Sequence, residues 1–244
     1  MGTSYSPNIV KDGLVFYVDA ANPRSYVSGS LDAFNLKNTT ITGSVDNGVD
    51  FNSNFLGIWE CDSSDDVINF GDHDSINNIV LGNNPVFSWE LWINPSDSVN
   101  STCCGIGKTN NTGHIVFYNY PDGNTFNFNK INADSPGSVR TYQVQTTFPH
   151  GNWTHYIFCY DGSGGTPTFT TYINGEAGSN TLTVNDSTSK IGADGDNLLM
   201  IGERMAAGVS YNYNGEISIL KIYNRILTAQ EVKQNYNALK RRFI

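Results

Sequence analysis

Apolar and polar residues alternate with a period of two through most of this chain, and a helical period replaces that alternation once, at the end. Residues 87–94, FSWELWIN, carry the cleanest alternation. Phe87, Trp89, Leu91 and Ile93 share one face, Ser88, Glu90, Trp92 and Asn94 share the other, and Pro95 closes the strand. Residues 13–19, GLVFYVD, are apolar on both faces and predict a central strand that Asn22-Pro23 ends. Further strands are expected at 67–70, 114–119, 125–128, 153–160, 169–173, 198–201 and 216–223. Asp122-Gly123, Asp161-Gly162 and Asn174-Gly175 are turn signals among them, the last marking a tight hairpin. Residues 24–50 are polar and turn-rich and are expected to hold weak strands at best.

After Asn224-Arg225 the period changes. Thr228 and Glu231 form a capping box, in which each side chain bonds the other residue's backbone N–H. Val232, Tyr236 and Leu239 follow at i, i+4 and i+7, one apolar stripe on a polar helix. The expectation is an all-β sandwich or jelly roll of two antiparallel sheets with one short C-terminal helix over 228–240. No linker or repeat divides the strands, so a single domain is expected over 1–244, with residues 1–12 as an N-terminal arm.

Charge narrows the partners. Only 15% of the 244 residues are charged, the net charge is −9, and no basic stripe exists to displace counterions from a phosphate backbone. Nucleic acid is therefore excluded. Lys240, Arg241 and Arg242 form the one basic cluster; they read as cations at a helix C-terminus, or as a tail for an acidic partner. Cys61, Cys103, Cys104 and Cys159 show neither CxxC spacing nor the density of a secreted disulfide scaffold, although one disulfide stays open. Cys159 reads as a buried thiol. No apolar stretch approaches a membrane span, and no signal-peptide pattern opens the chain.

Three stretches in order resemble the laminin-G-like, concanavalin A-like lectin/glucanase superfamily. They are residues 87–95, FSWELWINP; residues 153–162, WTHYIFCYDG, followed by YING at 172–175; and the ending from Gly215-Glu-Ile to IYNRIL at 222–227 with Glu231. The resemblance implies a concanavalin A-like jelly roll. Residues 13–23, and QNYNAL at 234–239 near Arg242-Phe243, are further similar to the ends of single-domain proteins of tailed phages, particularly those of marine cyanobacteria. That similarity implies a virion component made in the host cytoplasm, a capsid decoration or fibre-associated lectin-like domain. Its partners would be other capsid or fibre subunits, in a homo-oligomer or on a symmetric particle, with host glycans as further ligands.

Hydrolytic relatives on this fold place paired carboxylates on one strand, because two must flank a glycosidic bond. Of the six glutamates here (Glu60, Glu90, Glu176, Glu203, Glu216, Glu231), only Glu60 has a carboxylate two residues away, Asp62, and Ser64 breaks the three-carboxylate pattern. A hydrolase would have to complete its set from separate strands, so no enzyme is expected. Glu90 reads as a sheet-face or edge residue, and His155 as a strand residue satisfied by hydrogen bonds. No cofactor is required, but the resemblance raises calcium at a rim loop, with Asp122 as the nearest match; Asp62, Asp65 and Asp66 form a second oxygen-rich loop. Trp59, Tyr211, Asn212 and Tyr213 lie in Gly/Asn-rich segments where aromatic rings can stack on sugar faces. A stand-alone lectin or adhesin is the alternative to a virion protein, and a glycoside hydrolase the third.

Overall fold

Two antiparallel sheets divide the alternating pattern between them. A computed structural model describes residues 7–96, 101–107, 113–119, 126–131, 139–145, 150–184, 190–192, 197–203, 205–206, 209–210 and 212–244. Among these, the first sheet runs in the order Glu176–Ala177, Thr168–Ile173, Thr154–Asp161, Val86–Pro95, Asn214–Tyr223, Ile58–Asp62 and Asp50–Asn52. Leu14–Asp19 pairs beside it with the last half of Asn214–Tyr223. The second sheet runs Thr181–Val184, Val139–Gln145, Phe126–Ile131, Gly113–Asn119, Ser101–Gly107, Leu198–Ile201, Val67–Asp72, Thr42–Asp46 and Asp32–Phe34. This is the expected two-sheet architecture.

The inner faces meet in one aromatic-rich core. Phe87, Trp89, Leu91 and Ile93 all enter it, as the alternation requires. Trp89 lies 5.1 Å from Phe117, Phe117 lies 4.6 Å from Phe158, and Phe16 meets Phe70 edge-on at 5.0 Å. Such pairs contribute about 0.5–1.5 kcal/mol each beyond the area they bury.

The outer face of the first sheet is also apolar, and the C-terminal helix Ala229–Leu239 covers it. The helix starts where the sequence places it. Thr228 Oγ1 accepts from the Glu231 backbone N–H at 3.3 Å, and Glu231 Oε2 accepts from the Thr228 N–H at 2.9 Å. Arg225 pairs with the same carboxylate at 2.6 Å, and that bond, against partial burial, holds the Glu231 carboxyl at about 2. Val232 packs with Ile157, Cys159, Tyr223 and Leu227. Tyr236 stacks on Trp92 at 5.9 Å, and Phe243 stacks on the same indole at 4.3 Å. Asn174-Gly175 forms the expected two-residue hairpin turn with both φ angles positive, 52° and 82°. A Cβ on Gly175 would sit 2.8 Å from the Tyr236 ring, so the turn can pass under the helix only as glycine.

Several expectations need correction. Leu14–Asp19 is apolar on both faces but has a strand partner on one side only; its other edge takes Leu36 N–H on the Tyr17 carbonyl at 2.8 Å. Residues 24–50 contain Asp32–Phe34, Thr42–Asp46 and the first residue of Asp50–Asn52. Their apolar signal is thin because Ala33 and Val45 are the large-core contributors of their strands. The seven-residue helix Asp74–Val80 was not expected, since it is short and only Ile76, Ile79 and Val80 carry its apolar side. All four cysteines are free and buried. Arg242 is neither a solvated helix-end cation nor a free tail: its guanidinium pairs with Asp19 at 2.7 Å, with both side chains under 10% exposed. The Asp122-Gly123 turn lies outside the described residues.

Candidate functional site

Residues directly opposite in antiparallel strands share a face, so the ladder register orders the outer face of the first sheet into rows. One row brings Lys221, Glu90 and Ile157 side by side. Glu90 and Lys221 are wholly inaccessible, as are His155, Tyr223 and Asn235. Glu90 Oε1 accepts from Lys221 Nζ at 2.7 Å and lies 3.2 Å from His155 Nε2. Its Oε2 accepts from Asn235 Nδ2 at 2.7 Å and from Tyr223 OH at 3.4 Å. Asn235 also accepts from the Val10 N–H at 2.7 Å, which binds the N-terminal segment to the helix. The Lys221 ammonium sits 5.2 Å over the Tyr17 ring.

Burial alone would raise the Glu90 carboxyl, but the Lys221 ammonium, together with the His155 contact, outweighs it and holds the group at about 2. Burial lowers His155 against the pull of Glu90, so the ring is neutral at pH 7. The contact between them is therefore a hydrogen bond from Nε2–H, not an ion pair, and Nδ1 is left buried without a partner. One negative and one positive charge remain, each the other's counter-ion.

A second row, toward Pro95, escapes the helix. Glu60, Glu216 and Asn94 stand opposite one another on three adjacent strands and are partly exposed. Asn94 Nδ2 donates to Glu216 at 2.7 Å and Asn52 Nδ2 to Glu60 at 3.0 Å. Burial raises the Glu216 carboxyl and the Glu60 charge adds to this, while the Asn94 bond opposes it. The ladder thus makes a carboxylate pair from separate strands, 156 positions being the difference between 216 and 60. On the same face, Phe55 meets Trp153 at 5.5 Å. Phe55 is 40% exposed and sits with Leu56 in left-handed backbone, at φ 51° and 68°. Such conformations cost about 1–3 kcal/mol each and persist when neighbours enforce them. Arg242 does so here, donating to the Phe55 and Gly57 carbonyls.

Among the clefts at the described surface, two border these elements. The first, about 450 Å3, lies between Asn22-Pro23, Leu56 and the helix residues Ala238 and Leu239, over the Asp19–Arg242 pair. Its polar floor is already satisfied. Asp19 also accepts from Tyr17 OH and the Ala21 N–H, both at 3.0 Å, and Arg242 also donates to Ser218 Oγ. That cleft is the outside of a clamp on the tail. The second, about 410 Å3, lies where Val86–Pro95 begins and Asn214–Tyr223 ends, and Asn78, Asn83, Asn84 and Asn224 line it.

The residues expected to bind sugar lie elsewhere. Trp59 is fully buried within Ile58–Asp62, edge-on to Tyr26 at 5.6 Å, because its position alternates into the core. Tyr213 is 1% exposed and Asn212 is also buried, so neither offers a stacking surface. Tyr211 and Asp122 lie outside the described residues. In the acidic loop, Asp62 accepts from the Ser64 N–H at 2.8 Å, an Asx turn, and Asp66 closes the loop by accepting from the Asp62 N–H at 2.7 Å. Among the described residues, no group of three His, Cys, Asp or Glu side chains is placed to hold a metal. Sequence reasoning missed Lys221 as the partner of Glu90. The signal was there: Glu90 is the lone charge of Val86–Pro95, and Lys221 the lone cation of Asn214–Tyr223.

A family model described as the concanavalin A-like lectin/glucanases superfamily matches residues 62–233. No curated protein sequence matches the chain. Among solved structures, the binding domain of botulinum neurotoxin serotype D/C is similar with a TM-score of 0.65 and 14% identity, over 93% of this chain and 52% of that one. This chain therefore spans about half the length of the toxin binding domain. Domain 4 of AbnA, a GH43 extracellular arabinanase from Geobacillus stearothermophilus in complex with arabinotriose, matches at TM-score 0.60 and 19% identity, over 91% of this chain and 98% of that one. The CBM40 of a Ruminococcus gnavus IT-sialidase, bound to α2,3 sialyllactose, matches at 0.52 and 13%, over 78% and 94%.

The buried pair makes two stability predictions. Glu90→Gln leaves the Lys221 ammonium buried without a counter-ion and is expected to cost about 3–5 kcal/mol, while adding Lys221→Met recovers most of the loss. Equal melting temperatures for wild type and Glu90→Gln would contradict this. Both pKa shifts also destabilise the fold in acid. The Glu90 contribution is complete above about 4.5 and is lost as pH falls toward 2. His155 stays neutral in the folded state while the unfolded chain takes up a proton near 6.5, so a first loss begins there. Calorimetry from pH 7 to pH 3 should show a falling midpoint that steepens below about 4.5, and Glu90→Gln should make that part shallower, Glu231 supplying what is left.

Proposed function

The chain belongs to the concanavalin A-like lectin/glucanases superfamily, and from that premise we propose that it is a non-catalytic, lectin-like domain that binds saccharides. One observation carries the non-catalytic part. The carboxylate on the central strand, Glu90, is sealed under the C-terminal helix and charge-paired with Lys221, out of reach of a glycosidic bond. The similar structures support the binding part: one is in complex with arabinotriose, another is bound to α2,3 sialyllactose, and a third is a toxin's binding domain. Fold likeness alone does not transfer their ligands.

The reading extends to place and partners. The similarity of residues 13–23 and 234–243 to tailed-phage proteins supports a virion surface protein, a capsid decoration or fibre-associated domain acting in a symmetric assembly. Calcium at the Asp122 loop belongs to the same proposal. Hydrolysis is the second reading, favoured by the Glu60–Glu216 pair, two carboxylates standing directly opposite each other on adjacent strands.

An oligosaccharide array probed with calcium and with EDTA, followed by a turnover assay on arabinan and β-glucan, separates these readings. Saturable binding without turnover is expected. Failure to bind any saccharide in either buffer would overturn the proposal, and turnover abolished by both Glu60→Gln and Glu216→Gln would replace it with a hydrolase.

A further inference from the structure

The cleft of about 410 Å3 at the end of the sandwich is lined mainly by carboxamides and apolar side chains. Four carboxamides line it: Asn78, Asn83 and Asn84 from the continuous stretch 78–86, and Asn224 from the turn after the last strand. Ile79 and Val86 supply apolar surface between them. None of the described residues that line it carries a charge. The volume falls within the range of small-ligand sites, about 300–1,000 Å3.

Its walls are fixed by backbone bonds to parts of the chain distant in sequence. Gly82 and Ile191 exchange both N–H···O bonds, at 2.8 and 2.9 Å. Gly162 N–H donates to the Pro85 carbonyl at 2.9 Å, and Asn224 N–H donates to the Gly13 carbonyl at 2.8 Å. A ligand entering here meets groups already in place, which lowers the ordering cost of binding. The Asn78 and Asn224 side chains are exposed and have no hydrogen-bond partner among the described residues, so no internal bond must break first.

The chemistry selects the ligand class. A carboxamide offers a donor and an acceptor about 2 Å apart, which matches neighbouring hydroxyls that also donate and accept. It offers nothing to neutralise a carboxylate or phosphate, and the net charge of −9 on the chain disfavours an anion further. The apolar Ile79 and Val86 surfaces suit the C–H face of a sugar ring. We propose that this carboxamide cleft is the binding site for a neutral saccharide of one to three residues. The proposal rests on the lectin-like reading above and adds its site and ligand class. It also separates this cleft from the larger one over Asp19 and Arg242, whose polar floor is spent on internal bonds.

The test is titration of the full chain, followed by the side-chain amide signals of asparagine in nitrogen-15 spectra. The probes are cellotriose, mannotriose and arabinotriose as neutral sugars and 3′-sialyllactose as the anionic one. The expected result is that at least one neutral trisaccharide shifts the Asn78 and Asn224 amide signals while 3′-sialyllactose does not. The double variant Asn78→Ala/Asn224→Ala should bind at least tenfold more weakly, with its melting temperature unchanged because both side chains are exposed. Neutral-sugar binding that survives in the double variant would overturn the site and leave the lectin-like reading standing. Preference for 3′-sialyllactose would overturn the ligand class. No binding of any of the four sugars would overturn this site and count against the broader reading, which the array then decides with other glycans.

Discussion

A carboxylate removed from water must find a cation, and the outer half of this molecule is arranged around how Glu90 finds Lys221. The effective penalty for burying each ion is several kcal/mol, and only close contact with every remaining polar atom bonded offsets it. The sheet alone supplies the cation, from the adjacent strand, and the His155 hydrogen bond. To Oε2 the sheet supplies only the Tyr223 hydroxyl at 3.4 Å, and it cannot exclude water from the pair. Asn235 adds a donor at 2.7 Å, and the helix that carries it excludes the water. An isolated helix of eleven residues is marginal in water, so the dependence runs both ways: the pair needs the helix as cover, and the helix needs the sheet.

That closure decides where function can sit. Rows on the outer face of the first sheet are occupied by Tyr236, Phe243 and Asn235. The Asp19–Arg242 clamp pins the tail beyond the helix and holds the 54–57 turn in its left-handed conformation. The Glu60–Glu216 strip and the carboxamide cleft at the sandwich end stay outside that cover. Binding at an end, over a rigid frame, is the use a β-sandwich makes of its loops.

The fold was legible in the sequence to the extent that each element carried its own signal. Residues 87–94 alternate cleanly, Asn174-Gly175 admits one turn type, and Thr228 with Glu231 writes the helix start; all three stand as read. The strands in 24–50 were underestimated because Ala33 and Val45 are too few apolar positions to make a period. The site was less legible, and for a definite reason. Trp59 and Tyr213 sit in loop-like composition yet alternate into the core, and composition does not record which face a residue takes. Glu60 and Glu216 meet only through strand register, which no local pattern specifies when the intervening chain crosses to the other sheet and back.

The central claim is that the tail and the sheet form one cooperative unit joined through the buried pair. Native-state hydrogen exchange measures this directly, by comparing amides of residues 232–239 with those of the strand Val86–Pro95. The account predicts that both sets open at the same free energy, that of global unfolding, and that Glu90→Gln lowers both together. Helix amides that exchange through a separate opening several kcal/mol lower, unaffected by Glu90→Gln, would contradict it.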